Sequence, residues 1–222
     1  MRKKVIATIV VMLLIATIPI LPINVLAGDE NDPEITDALN DQFGALAIYP
    51  DRLRTRIALM LLQMDSFDFV DIDSAWFYEN ADEPDFLYAD LKLQDLRIVP
   101  QDAIYTVRWA CNDVAYCVGS HIRFNGQGIS CHVGLDRRSA ADSQPAEVTY
   151  DFESNIITFK MKKQDIGDPQ PGDLLTNTWA WTAFRFNFSP LCLLFSDGEL
   201  VKDAAPFLEN NQEYGRDYVI QL

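Results

Sequence analysis

The chain has 222 residues, 49% of them hydrophobic, and carries 33 Asp and Glu against 18 Lys and Arg. A net charge of −15 repels phosphate backbones and anionic headgroups, which argues against nucleic-acid binding. The hydrophobic content excludes a disordered tail, and the length is that of one domain able to bury ~70% of its unfolded surface.

Arg2, Lys3 and Lys4 precede an apolar run from Val5 to Leu26, broken only by Pro19, Pro22 and Asn24. A basic start, an apolar stretch and a small-residue cut site make a secretory signal over residues 1–27. Val25 and Ala27 supply that site and put cleavage before Gly28. The rival reading is a retained membrane anchor, because the run approaches the ~20 residues that span a bilayer. The two prolines near its outer end and the Val-x-Ala site favour cleavage. No cysteine follows Ala27, so no lipoprotein anchor is expected. Loss of residues 1–27, with Arg2, Lys3 and Lys4, leaves 195 residues and takes the charge from −15 to −18. The expected location is secreted or cell-surface, with membrane contact only through an uncleaved signal segment.

Residues 28–67 form an acidic segment expected to pack on a sandwich made by residues 68–222. It is loop-like as far as residue 49, with Asp32-Pro33 and the spaced acids Asp37 and Asp41. Those three acids are oxygen ligands of the kind calcium takes, but their spacing matches no EF-hand loop. A helix is predicted near 50–64. Pro50 suits a first helical turn, Asp51 faces the dipole there, and Leu53, Ile57, Leu61 and Met64 make one apolar stripe.

From Asp71 onward the period becomes two. Leu87, Ala89, Leu91 and Leu93 alternate with Tyr88, Asp90, Lys92 and Gln94, and Tyr105, Val107 and Trp109 alternate with Thr106 and Arg108. A turn at Asn112-Asp113 leads to strands over 114–124 and 129–135, joined through Asn125-Gly126-Gln127-Gly128. A hairpin follows, with Val148, Tyr150 and Phe152 on one arm and Ile157, Phe159 and Met161 on the other. After a loop from Gln164 to Asn177 comes a long strand with Phe184, Phe186 and Phe188 on one face. Short strands near 191–195 and 217–221 complete the set. The fold class is mainly β: an antiparallel two-sheet sandwich, jelly-roll or immunoglobulin-like, with one N-terminal helix.

The alternation also assigns faces. If Tyr105, Val107 and Trp109 face the core, so do Tyr116, Val118 and Ser120, while Cys117, Gly119 and His121 point outward. A two-residue turn at Asn125-Gly126 sets His121 opposite Ser130 and diagonal to His132; a turn centred on Gly126-Gln127 sets the histidines directly opposite. Either way they are outward neighbours. His121, His132 and Cys117 are therefore the candidate transition-metal ligands, weighed against two solvated imidazoles. Cys111 and Cys131 fall on the inner face, so a Cys111–Cys117 bridge would have to cross the sheet, which disulfide geometry forbids. Cys192 pairs with one of the others, or all four are small buried apolar groups. Trp179 and Trp181 share a strand face, with Arg185 nearby. Such indoles stack on sugar rings or fill a core.

Several segments carry a resemblance: Asp71-Ile72-Asp73-Ser74-Ala75-Trp76-Phe77, Phe86-Leu87-Tyr88 running into Leu91-Lys92-Leu93, and Tyr105-Thr106-Val107-Arg108-Trp109. So do Asp165-Ile166-Gly167, Gly172-Asp173-Leu174-Leu175-Thr176 and Trp179-Ala180-Trp181. Over roughly residues 68–188 the chain resembles a group of secreted archaeal β-sandwich domains, similar in pattern to DOMON and family-9 carbohydrate-binding modules. That resemblance implies a sandwich that binds sugars, haem or calcium, or serves as an accessory domain on an exported enzyme; it carries over no ligand residue.

The chain has no Gly-x-Ser-x-Gly elbow, no His-Glu-x-x-His helix and no phosphate loop, and only His121 and His132 are available for triads or zinc sites. The expectation is a non-enzymatic binding or surface-architecture domain that recognises an extracellular glycan or a partner protein. The alternatives are a carbohydrate-active hydrolase using paired carboxylates and a haem or metal carrier. N-terminal sequencing of exported protein is expected to begin at Gly28; an intact Met1 on membrane-bound protein would refute cleavage.

Overall fold

The computed structural model describes residues 28–39, 66–97, 100, 102–122, 129–135, 143–185, 199–206 and 214–222. The signal segment expected over 1–27 and the helix expected near 50–64 lie outside the described residues, as do Cys192, Phe186, Phe188 and the strand expected near 191–195.

Two antiparallel sheets pack together. The smaller holds β1 (Ile35–Thr36), β2 (Ile72–Tyr78), β3 (Phe86–Leu93), β9 (Ile156–Lys162) and β8 (Glu147–Asp151), hydrogen-bonded in that order. The larger runs β11 (Glu199–Ala205), β10 (Leu174–Arg185), β4 (Ala103–Cys111), β5 (Val114–Ile122), β6 (Ile129–Leu135) and β7 (Gln144–Pro145). In it β12 (Tyr218–Val219) pairs with the start of β10. A short 3-10 helix, Lys163–Ile166, follows β9.

The core is the sum of the inward-facing alternates. Leu87, Ala89, Leu91, Ile157, Phe159 and Met161 from one sheet meet Tyr105, Val107, Trp109, Val118 and Val133 from the other, all buried. The β4–β5 turn is tight because Asn112 and Asp113 both take positive φ, 50° and 63°, as the favoured two-residue hairpin requires. It sets Trp109 beside Tyr116 and Val107 beside Val118. Between β7 and β8 lies only Ala146, whose N–H donates to the Cys131 carbonyl at 3.1 Å. The chain thus passes from the larger sheet to the smaller in one residue. On the opposite side the sheets are tied by polar groups. The fully buried Asp203 accepts the Ile72 N–H at 2.7 Å, and the Thr182 hydroxyl donates to the Val70 carbonyl.

Three segments differ from expectation. β1 is a two-residue strand inside the stretch expected to be loop. β10 begins at Leu174, three residues before the expected end of the preceding loop. It carries a register shift between Thr176 and Trp179, with Asn177 at φ 51°. β11 forms where no strand was expected, and its buried Asp203 is satisfied by main-chain donors.

Residues 214–222 form a strap between the sheets. Gly215 N–H donates to the Thr178 carbonyl at 2.8 Å, and Arg216 N–H donates to that of Glu34 at 2.7 Å. Its far end is held by Glu79, whose carboxylate accepts from the Gln221 N–H at 2.6 Å, the Leu222 N–H at 3.2 Å and the Tyr218 hydroxyl at 3.2 Å. The buried Lys163 ammonium lies 2.5 Å from the same carboxylate.

Gly215 passes so close to its neighbours that a Cβ there would lie 2.4 Å from the Glu34 carbonyl and 2.6 Å from the Thr178 hydroxyl. Gly215→Ala is expected to cost roughly 1–3 kcal/mol in denaturant unfolding, and an unchanged midpoint would refute the tight strap.

A second prediction concerns Asp90, 9% exposed, whose Oδ1 has no hydrogen-bond partner among the described residues. Burial raises its carboxyl to about 6, against the opposing effect of the Thr158 hydroxyl. An unfolded Asp titrates near ~3.9, so the fold holds this proton more tightly than the open chain does. Its stabilising effect is full below about pH 4 and is lost as pH rises through about 6, up to ~3 kcal/mol. Asp90→Asn is expected to remove this decline between pH 4 and 7, and an identical pH profile in the variant would refute it.

Candidate ligand-binding cleft

The larger sheet has one face in the core and the other turned outward. Register places the candidate residues on that outer face in rows. Trp179 pairs with Arg108, which pairs with Cys117; Trp181 pairs with Thr106, then Gly119, then His132. His121 pairs with Ser130, so the two histidines are diagonal neighbours, the arrangement the two-residue turn predicts. Arg185 closes β10, paired with Glu199, at the far end of the strand from Trp179's row.

At the end of the β4–β5 hairpin this face dips into a cleft of about 310 Å³ lined by Arg108, Trp109, Tyr116, Asn177, Trp179 and Tyr214, with Ala110 and Ala115 between them. Four aromatic residues thus contribute to the lining, Trp109 and Tyr116 with side chains in the core. The bulge at Asn177 turns the start of β10 toward the rim, and the strap brings Tyr214. Trp109 stacks on Tyr116 with ring centres 6.2 Å apart and meets Phe77 edge-on at 5.5 Å. Its indole N–H, on a side chain 1% exposed, has no acceptor among the described residues. Arg108 lays its guanidinium carbon 4.4 Å from the centre of the half-buried Trp179 ring, a cation–π contact that helps fix the indole. Trp181 is half-buried like Trp179 but does not line the cleft. Arg108 and Tyr214 were absent from the sequence-based set. Arg108 was readable as an outward residue, but its pairing with Trp179 links strands some 70 positions apart.

The metal ligands do not converge. His121 Nε2 lies 3.7 Å from Asp102 Oδ1, while His132 Nδ1 is buried without a hydrogen-bond partner among the described residues. Among those residues no three His, Cys, Asp or Glu side chains are close enough together to hold a metal ion. Asp32 is engaged by Arg216 Nη2 at 2.6 Å, and Asp37 Oδ1 accepts the Ala38 N–H at 3.0 Å; Asp41 lies outside the described residues. Cys111, Cys117 and Cys131 are free thiols, the first and third in the core, where burial pushes the Cys131 thiol up to about 12.

A larger cavity, about 540 Å³, is bounded by Pro84, Phe86, Pro169, Pro171 and Leu222, with Asp85 and Asp168 as its carboxylates. Neither cavity is lined by histidine or methionine, the side chains a haem slot would present. No family model, no curated protein and no solved structure matches this chain.

Proposed function

We propose that the chain is an exported, non-enzymatic binding domain that takes a glycan ring in the cleft beside Trp179. The carrying observation is the cleft itself: Trp179 and Tyr214 beside Arg108 and Asn177, with no Asp or Glu in its lining. Aromatic faces pair with the C–H faces of sugars, and a few directional donors fix orientation, the division of labour common in small-molecule sites. The Asn177 amide is a donor a ring's hydroxyl oxygens can use. A cleft without carboxylates has neither the general acid nor the nucleophile of a glycoside hydrolase. The ligand is neutral on this reading, because an acidic polymer would meet the net negative charge of the chain.

The test is a glycan panel followed by calorimetric titration. Trp179→Ala is expected to abolish binding while moving the melting temperature little, since its described contact is a cation–π pair worth ~1 kcal/mol. Trp109→Ala, in the core, is expected to destabilise the fold by about 3–5 kcal/mol. Wild-type protein that binds no glycan, or binding untouched by Trp179→Ala, would overturn the assignment. Polysaccharide turnover lost on replacing Asp85 or Asp168 would favour the hydrolase.

A further inference from the structure

Gly28 is buried although the residues just after it, Asp29 to Asp32, are exposed. Packed against it is the side chain of Glu34. A Cβ built on Gly28 would lie 2.3 Å from Glu34 Oε2 and 2.5 Å from Oε1, so the carboxylate is packed against the α carbon of Gly28. The backbone nitrogen of Gly28 is bonded to that same carbon.

Glu34 is 8% exposed. Its Oε2 accepts the Phe77 N–H at 2.9 Å. Arg216 is the nearby cation, but its Nη2 is committed to Asp32 Oδ1 at 2.6 Å, the Asp32 carbonyl at 2.9 Å and the Pro33 carbonyl at 2.7 Å. Burial pushes the Glu34 carboxyl up to about 7, with Asp32 adding to the rise and Phe77, its own N–H and Arg216 opposing it. A buried carboxylate in this setting is costly unless a cation joins it.

We propose that Glu34 is the seat for the α-ammonium group that cleavage between Ala27 and Gly28 creates, so that removing the leader fastens the new chain start into the fold. In the uncut chain the Gly28 nitrogen is an amide with one N–H and no charge. Hydrolysis of the Ala27–Gly28 bond gives a carboxylate on the departing leader and a primary amine on Gly28. That amine carries a proton at pH 7, because α-amino groups titrate near ~7.7–8.0. The new ammonium has three donors and turns freely about the Cα–C bond, which brings it onto the carboxylate already resting on its α carbon. Charge-assisted hydrogen bonds of this kind are about twice as strong as neutral ones. Glycine answers two demands at one position: it is small enough for the cut site, and it alone leaves room for the carboxylate.

The proposal is independent of the glycan cleft and needs only the cut before Gly28. The pair requires Glu34 ionised and the amine protonated. Its contribution is lost as pH falls through the folded carboxyl value, which the ammonium lowers, and as pH rises through the folded amine value, which the carboxylate raises. The charged and titratable groups facing Glu34 are Asp32, Arg216 and Tyr218, and none of them supplies a second free cation.

Three forms of the mature domain test this: one starting at Gly28, one starting at Ala27, and one starting at N-acetylated Gly28, each with Glu34 and with Glu34→Gln. At pH 7 the Gly28 form is expected to melt roughly 3–8 °C above the other two, with the gap closing in Glu34→Gln. Its α-amine is expected to titrate above the ordinary ~8. Equal melting of the three forms, or a gap that persists in Glu34→Gln, would overturn the proposal. If Glu34→Gln does not fold, the amine titration decides, and an ordinary value sinks the pair. Export with cleavage at another bond sinks it as well.

Discussion

The carboxylate of Glu79 holds the fold's last segment in place, and much else hangs from that segment. It gathers the Gln221 and Leu222 amides, the Tyr218 hydroxyl and the Lys163 ammonium on one buried acid. A buried charge so fully supplied with donors is tolerable where an unpaired one is not. With its far end fixed, the strap runs back along the start of β10, reaches Thr178 and Glu34 through Gly215 and Arg216, and delivers Tyr214 to the cleft. The cleft and the Glu34 carbonyl therefore share one mechanical support.

The second organising fact is that the larger sheet divides its alternates between two tasks. Tyr105, Val107 and Trp109 fill the core while Thr106, Arg108 and Ala110, each one position along, face the other way. Trp109 belongs to the first, its ring packed edge-on against Phe77 and stacked on Tyr116 within the core.

Much of this was legible in the sequence wherever alternation was clean and turns were short. The strands around Leu87–Leu93, Tyr105–Trp109 and Ile157–Met161 follow from period two alone. Asn112-Asp113 then fixes the facing of Tyr116, Val118 and Cys117. Legibility failed where a polar group did structural work. Asp203 carries no strand signal until the Ile72 N–H is placed against it, and Asn177 looks like a loop end until its positive φ is seen as a bulge within β10. Ile35–Thr36 is too short for any periodicity. Of the site, Trp179 was visible by spacing. Arg108 and Tyr214 were not, because strand order across a sheet and the path of a tail are tertiary facts with no local signal. The spatial convergence of ligands that His121, His132 and Cys117 suggested dissolves for the same reason: outward facing is shared by many residues, and it does not bring three of them to one point.

The one-residue passage at Ala146 has a bearing on how copies of this domain meet one another. A β-sandwich is most vulnerable along its open margins, where unpaired main-chain groups template a strand from a second molecule. Here the two sheets share a margin made of β7, only two residues long and ending in Pro145, and β8, which carries Glu147 and Asp151 at its ends. Proline has no N–H to offer, and like charges on approaching copies repel. An incoming strand finds a short ladder ending in proline on one sheet and a charged one on the other, which disfavours edge-on pairing where the chain changes sheets.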